Sequence, residues 1–399
     1  MKKILFLSIL FFLFNCKEKS LKDYAILSEN PGYNKKIKIS KISVIKDSLE
    51  ITVPNGSPLN YFHNYIFSDT LFFGIKDYNS LDVYNIRTQQ FVKNIEIPRH
   101  ELASEIQSLY VKSLDSIYVL NNYPPVFYHI NYQGDILNKY EPGVLKLNIQ
   151  NERIPSNEII YNFTNLNYQK PFLINNFIYL PINPFDSHHV TGFTKAERIG
   201  IYDLKDRKWL KSICPPKGVF SIENVFFNYD LSSPNYIFNN NHIYVSYPMD
   251  HYIYVYDVEG NFIDKKLASS SYIKTFPPPL NKNQLKDFQS SWNFRIQTPF
   301  YGPLFYHKNI NLFSRVFYQQ QGLYKNNGEL NDGANRTAYL IVFNSKLEKI
   351  DEIEFTNGSL GVSKVSPLND GILVGKSKTY WDNENEFIHK YIYKMNPKL

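Results

Sequence analysis

"YIYVYDVEGNFIDKKL", residues 252–267, reads as a single hairpin. Large apolar side chains recur at alternate positions, the chain turns at Asp257–Gly260, and alternation resumes beyond it. A period of two on both sides of an Asp/Gly turn is the pattern of paired antiparallel strands. The same arrangement returns as "SLDVYNIRTQQFVKNIEI" (80–97), "VFYHINYQGDILNKY" (126–140) and "RIGIYDLKDRKWLKSI" (198–213). It returns again as "AYLIVFNSKLEKIDEIEF" (338–355) and "FIHKYIYKMNPKL" (387–399). The expected turns open at Asn85, Asn131, Asp203, Asp257, Asn344 and Asn396. Asn and Asp suit that position because their side chains bond to nearby backbone and tolerate left-handed conformations.

Each repeat has a partner strand upstream: "DTLFFGI" (69–75), "DSIYVLN" (115–121), "NFIYLPI" (176–182), "NHIYVSY" (241–247), "INLFSRVFY" (310–318) and "GILVGKS" (371–377). A further short apolar segment precedes most of them, so the unit is four strands and six units fill the chain. Tandem four-stranded units predict an all-β fold, a six-bladed β-propeller of antiparallel blades. The sixth unit stops at Leu399 before a fourth strand, while "KIKISKISVIKDSLEITV" (36–53) stands unassigned ahead of the first. Adding that N-terminal strand to the last blade closes the ring. No linker rich in Pro, Gly or Ser divides residues 36–399, which read as a single propeller domain, and "KNQLKDFQSSW" (282–292) is a short helix within an insertion.

The first residues carry a different signal. Lys2 and Lys3 precede an apolar run, Ile4–Phe14, too short to span a bilayer but fitting for a signal peptide. The run ends at "LFNC", with Cys16 followed abruptly by "KEKSLKD". This resembles the lipobox of bacterial lipoproteins, although Phe14 and Asn15 stand where small residues are usual. The expected organisation is a leader over 1–15, lipidation at Cys16 and a tether over 16–35. The chain has 2 cysteines, and with Cys16 lipidated, Cys214 has no partner for an internal disulfide. Losing Lys2 and Lys3 lowers the formal charge from +7 to +5. A mildly basic exported chain suits anionic lipid or acidic polymers rather than nucleic acid.

With its lipobox-like start and six "IY-V-x-N/D" units, the chain resembles the six-bladed propeller lipoproteins of Bacteroidota, including a family known only as a domain of unknown function. The resemblance runs over roughly residues 1–399. It implies a propeller and a lipid-anchored place at the cell envelope, with the outer membrane expected. It supplies no catalytic residues to carry over.

Insertions fall on one side of the predicted ring. Turns between third and fourth strands are short throughout, whereas loops between second and third strands lengthen in units three (183–197), five (319–337) and six (378–386). In an antiparallel meander these loops emerge at the same end as the connections between blades, and loops crowded on one face mark a binding face. Candidate ligand-binding residues there are Arg99, His100, Tyr123, Asp186, His188, Asp250, His251, Trp292, Arg295, Arg336 and Trp381. Aromatic rings beside Arg, Asn and Gln can stack on sugars or peptide side chains while bonding their edges.

Chemistry is sparsely encoded. His188 and His189 point to opposite sides of an extended chain, so Asp186 and His188 lack a third ligand, and no metal or cofactor is expected. "GILVGKS" has three residues between its glycines where a phosphate loop needs four. The leading expectation is a non-enzymatic envelope module that binds a peptide, protein or glycan. The alternative is an envelope polysaccharide hydrolase or lyase, using paired carboxylates drawn from Glu101, Asp186, Asp250 and Asp382.

Overall fold

The computed structural model describes residues 21–35, 42–52, 64–121, 125–143, 145–146, 158–159, 161–163, 170–184, 198–213, 218–222, 227, 229–331, 336–355, 360, 365–375 and 387–397. Six antiparallel sheets form a ring, a β-propeller with six blades. Blade 1 comprises β2 (Asn64–Phe67), β3 (Leu71–Asp77), β4 (Ser80–Asn85) and β5 (Gln90–Glu96). Blade 2 comprises β6 (Ile106–Ser113), β7 (Ser116–Asn121), β8 (Val126–Ile130) and β9 (Ile136–Tyr140). A small hairpin, β10 (Leu145–Lys146) with β11 (Glu158–Ile159), leads to blade 3. There two short pieces, β12 (Tyr161–Phe163) and β13 (Phe172–Ile174), share the innermost place along β14 (Phe177–Pro184), followed by β15 (Ile199–Asp203) and β16 (Lys208–Ile213).

Blade 4 runs through β17 (Asn235–Asn239), β18 (His242–Ser246), β19 (Tyr252–Asp257) and β20 (Phe262–Leu267). Blade 5 is β21 (Phe300–His307), β22 (Leu312–Tyr318), β23 (Ala338–Phe343) and β24 (Lys349–Phe355). Blade 6 takes β25 (Val365–Leu368), β26 (Gly371–Gly375) and β27 (Phe387–Pro397) from the end of the chain and β1 (Ile42–Thr52) from its beginning. The ladder between β1 and β27 runs from Ile42 opposite Pro397 to Thr52 opposite Phe387. First strands of successive blades meet around the axis, β2 with β6, β17 with β21, β21 with β25, and β25 back to β2.

Five of the six expected turns form as read. The Asn85, Asn131, Asp203 and Asn344 side chains each accept two backbone N–H bonds across their turns, and Asp257 accepts from the backbone and side chain of Asn261. Asn396 differs. It lies within β27, opposite Ser43, because β1 has taken the place of a fourth strand.

The core is a set of seams between blades. Leu81, Val83, Leu109 and Val119 join blades 1 and 2, and Leu120, Phe127, Ile178 and Tyr202 join blades 2 and 3. A continuous cluster runs through blades 3 to 6, and Leu49, Phe72, Tyr84 and Leu373 seal blade 6 to blade 1. Each sheet is sandwiched between two others, so third strands are buried on both faces, as all six residues of β23 are. Fourth strands form the rim and carry the exposed positions. Their turns lean on the preceding blade. Gly134, at a φ of +98°, has space for a Cβ only by displacing the Glu96 carbonyl 2.2 Å away, and Lys93 Nζ donates to Tyr132 O at 2.8 Å.

Residues 21–35 make a strap across the looped side. A helix over 21–27 buries Tyr24, whose hydroxyl donates to Pro277 O at 2.9 Å and whose ring lies 6.1 Å from that of Phe227. Asn30 Nδ2 donates to Ser270 O and Ile273 O, both at 2.7 Å, and Glu29 forms a bridge with Thr275. The strap therefore occupies the connection between blades 4 and 5. The chain next passes blade 5, where Ile42 N donates to Asp351 Oδ2, and enters blade 6 as β1.

Closure by β1 makes Leu49, a side chain from the start of the chain, part of the last seam. Leu49→Ala is expected to lower unfolding stability by about 2–4 kcal/mol through lost burial and a residual cavity, measured by denaturant unfolding. Val92→Ala, on the half-exposed rim of blade 1, should change it by about 0.5 kcal/mol or less. Equal small effects would contradict a seam built on β1.

Candidate functional site

The looped side of blades 4 and 5 is the best-built surface among the described residues. Its centre is Arg315 on β22, which is fully buried. Nη1 donates to Ala268 O at 3.0 Å, and Nη2 donates to Tyr247 O at 2.8 Å and Asp250 O at 2.7 Å. The guanidinium carbon sits 3.7 Å from the centre of the Tyr301 ring. Burial pulls this arginine down to about 10, so it stays charged at neutral pH, its charge held by carbonyl dipoles and an aromatic face. One side chain thereby fixes the second-to-third-strand loop of blade 4 and its connection to blade 5.

Asp250 and His251 belong to this assembly. Asp250 is buried. It accepts from the Tyr254 hydroxyl at 2.7 Å and from Tyr252 N at 2.9 Å, and burial raises its pKa. His251 Nε2 lies 3.0 Å from Ser28 O, a carbonyl that can only accept, so Nε2 carries the proton. Nδ1 then accepts from the Tyr301 hydroxyl at 2.9 Å, and that oxygen in turn accepts from Ser270 N at 3.1 Å. The chain of bonds ties the strap to blades 4 and 5 and requires a neutral imidazole.

Beside it, the connection from blade 4 to blade 5 carries two helices. Asn281 and Gln284 form a capping box that starts Lys282–Lys286, and Asp287 accepts from Ser290 N at 2.8 Å to start Phe288–Gln297. Arg336, from the second-to-third-strand loop of blade 5, closes the far end. Its Nη1 donates to Thr298 O at 2.6 Å, and its Nη2 donates to the carbonyls of Arg295 and Ile296. A cation on the last carbonyls suits the negative end of the helix dipole.

The outward face of the second helix presents Phe288, Trp292 and Arg295. Positions four and three apart share a face. The Phe288 and Trp292 rings stack at 6.2 Å and 12°, and the Arg295 guanidinium lies 5.1 Å from the Trp292 ring. Phe288 is 77 % exposed, while Trp292 and Arg295 are half-buried. The blade 5 loop adds a hairpin over 322–331, with Tyr324 bridged to Leu330, both exposed.

The structure thus gathers Trp292, Arg295 and Arg336 around one helix, and Asp250 with His251 under the strap. Arg99 and His100 stand apart, exposed on the connection between blades 1 and 2, across the ring from the blade 4–5 connection. Arg99 lies 4.6 Å from the Tyr78 ring. Cys16, Tyr123, Asp186, His188 and Trp381, together with Asp382, lie outside the described residues. Phe288, Arg315 and Tyr301 escaped the sequence reading, although the helical spacing of 288, 292 and 295 marks the first. An open cleft at the rim of the blade 4–5 seam is lined by Lys35, Lys266, Lys346 and Lys349, of which Lys266 pairs with Asp264 and Lys349 with Glu352.

Among the described residues no three His, Cys, Asp or Glu side chains gather as ion ligands, and no helix is long and apolar enough to cross a membrane.

Residues 37–354 match one family, Domain of unknown function (DUF4221). The fold matches the crystal structure of a DUF4221 member from Bacteroides vulgatus with a TM-score of 0.69. That match covers 90% of this chain and 100% of the other at 15% identity, and so speaks for the fold alone. No curated protein matches in sequence.

The His251 latch has a pH signature. Burial pushes His251 and the equally enclosed His307 down to about 4, from an ordinary 6.5. A depressed folded pKa means that the unfolded chain takes up protons first, so stability is full above about 6.5 and falls as pH drops toward 4, by up to about 3 kcal/mol per imidazole. Asp250, raised by burial, acts in the opposite sense. Urea unfolding of His251→Gln against the parent chain isolates the imidazole. The variant should show a shallower loss between pH 6.5 and 4, and identical slopes would contradict the latch.

Proposed function

The chain belongs to the DUF4221 family, and from that premise we propose that it is a lipid-anchored binding module of the cell envelope. It is tethered through Cys16 and grips a peptide, protein or glycan with the looped face of its propeller. What supports this reading is the Phe288–Trp292–Arg295 ridge, two stacked rings and a guanidinium on a helix whose two ends are both capped. Holding these side chains on a braced helix reduces the ordering cost of binding. Trp and Arg are also the residue types that most often dominate interfaces. An exposed ring with two half-buried neighbours on one helix face suits contact with a partner's surface or groove.

The test joins Phe288→Ala, Trp292→Ala and Arg295→Ala in one chain. Capture of partners from envelope extracts and binding to a glycan array should fall at least about tenfold, the loss of two or three interfacial anchors. Thermal unfolding should stay close to that of the parent, because the ridge faces away from the seams. Undiminished capture and array binding by a folded variant would contradict this reading.

A further inference from the structure

We propose that the looped side of blades 4 and 5 rests against the lipid bilayer. The inference builds on lipidation of Cys16 and deepens that reading, since it sets where the anchor holds the ring. The helix over 21–27 touches the propeller through Tyr24 and Ser28 and leaves its remaining side chains exposed. Leu21, Ile26 and Leu27 are among them, Ile26 at 70 %. Phe288 on the neighbouring helix and Tyr324 and Leu330 on the blade 5 hairpin are exposed on the same sector. Other exposed large apolar residues, such as Phe91, Leu137, Leu210 and Phe262, are spread along the fourth strands of blades 1 to 4.

Three separate segments, the strap and two insertions, therefore bring large apolar side chains to one sector of one face. A patch of this kind marks a surface covered by something apolar. The order of the chain says what covers it. Only Lys17, Glu18, Lys19 and Ser20 separate Cys16 from Leu21, a reach of at most about 18 Å when fully extended. The strap then fixes Leu21 to blade 4 through Tyr24, Ser28 and Asn30. An acyl chain on Cys16 accordingly holds this sector close to the headgroups. Apolar side chains entering the interface add a second contact to the acyl anchor. Partners that meet the Phe288–Trp292–Arg295 ridge are then molecules held at the membrane surface.

The experiment uses the full chain purified from membranes, with Cys214→Ser and one new thiol at Ile26→Cys or Leu330→Cys. Arg87→Cys, on a turn at the opposite end of blade 1, is the control. Each thiol carries a nitrobenzoxadiazole label, and the protein is reconstituted in vesicles of phosphatidylethanolamine and phosphatidylglycerol. Labels at 26 and 330 should shift to the blue and be quenched several-fold more strongly by spin-labelled lipid than the label at 87. Mass spectrometry of the N-terminal peptide reads the lipid on Cys16 in the same samples. Lipid on Cys16 with equal quenching at all three sites overturns the orientation and leaves the anchor standing. An unmodified Cys16 overturns both. A chain lacking residues 1–16 that dimerises without vesicles and shows the same blue shift assigns the patch to a second copy and overturns the proposal.

Discussion

The antiparallel ladder between β1 and β27 is the constraint on which the rest of the structure depends. A ring made from a linear chain has one junction where no covalent connection holds neighbouring blades together. Here the last blade takes its outermost strand from the other end of the sequence, so that junction lies inside a hydrogen-bonded sheet. Pulling the ring open means breaking a whole ladder together with the Leu49–Tyr84–Leu373 seam. The chain before β1 is also held in place, by bonds to the connection between blades 4 and 5. Residues 21–35 lie along that connection as an ordered strap, and Ile42 meets Asp351 of blade 5 where β1 begins.

The strap explains why so many polar groups on the looped face are internal. Arg315 offers its donors to carbonyls from two loops, and Tyr301 passes the connection to His251 and then to Ser28. A buried cation held by carbonyls, a ring and the nearby Asp250 carboxylate is stable because those partners are themselves fixed by the packing around it. The outcome is a rigid platform over blades 4 and 5. The capped helix and the short hairpin project from it, and their exposed side chains are aromatic and aliphatic.

The propeller was legible because its turns are local. Asn or Asp at the head of each turn bonds to backbone two to four residues away, and such bonds leave their mark in a short window. The wheel's closure was legible as a missing fourth strand at one end and a surplus strand at the other. Alternation itself misled in one respect. A period of two suggests one apolar face per strand, yet blades packed on both sides bury most positions of the third strands, and β23 is apolar along its whole length for that reason. Asn396 kept the form of a turn residue but found a strand partner far away in sequence.

The site was less legible because its determinants are long-range. Nothing near Asp250 and His251 shows that the backbone of one is held by Arg315, 65 residues away, or that the ring of the other bonds Ser28, 223 residues away. Arg336, a candidate ligand-binding residue by its place on the looped face, is buried and closes a helix from a neighbouring loop. Trp292 and Arg295 were recognised as residue types, while their assembly with Phe288 needed the helix that Asp287 and Arg336 delimit.

A cross-strand disulfide tests ring closure most directly. With Cys16 and Cys214 replaced by serine, Ile45→Cys and Lys394→Cys stand opposite each other on β1 and β27, both pointing outward. Facing residues in an antiparallel pair lie within disulfide reach, with Cα atoms about 4.5–5.5 Å apart. Mild oxidation should convert the monomer quantitatively to an internally bridged species of raised melting temperature. Thiols that stay reactive, or that join only between molecules, would mean that the two ends of the chain do not share a blade.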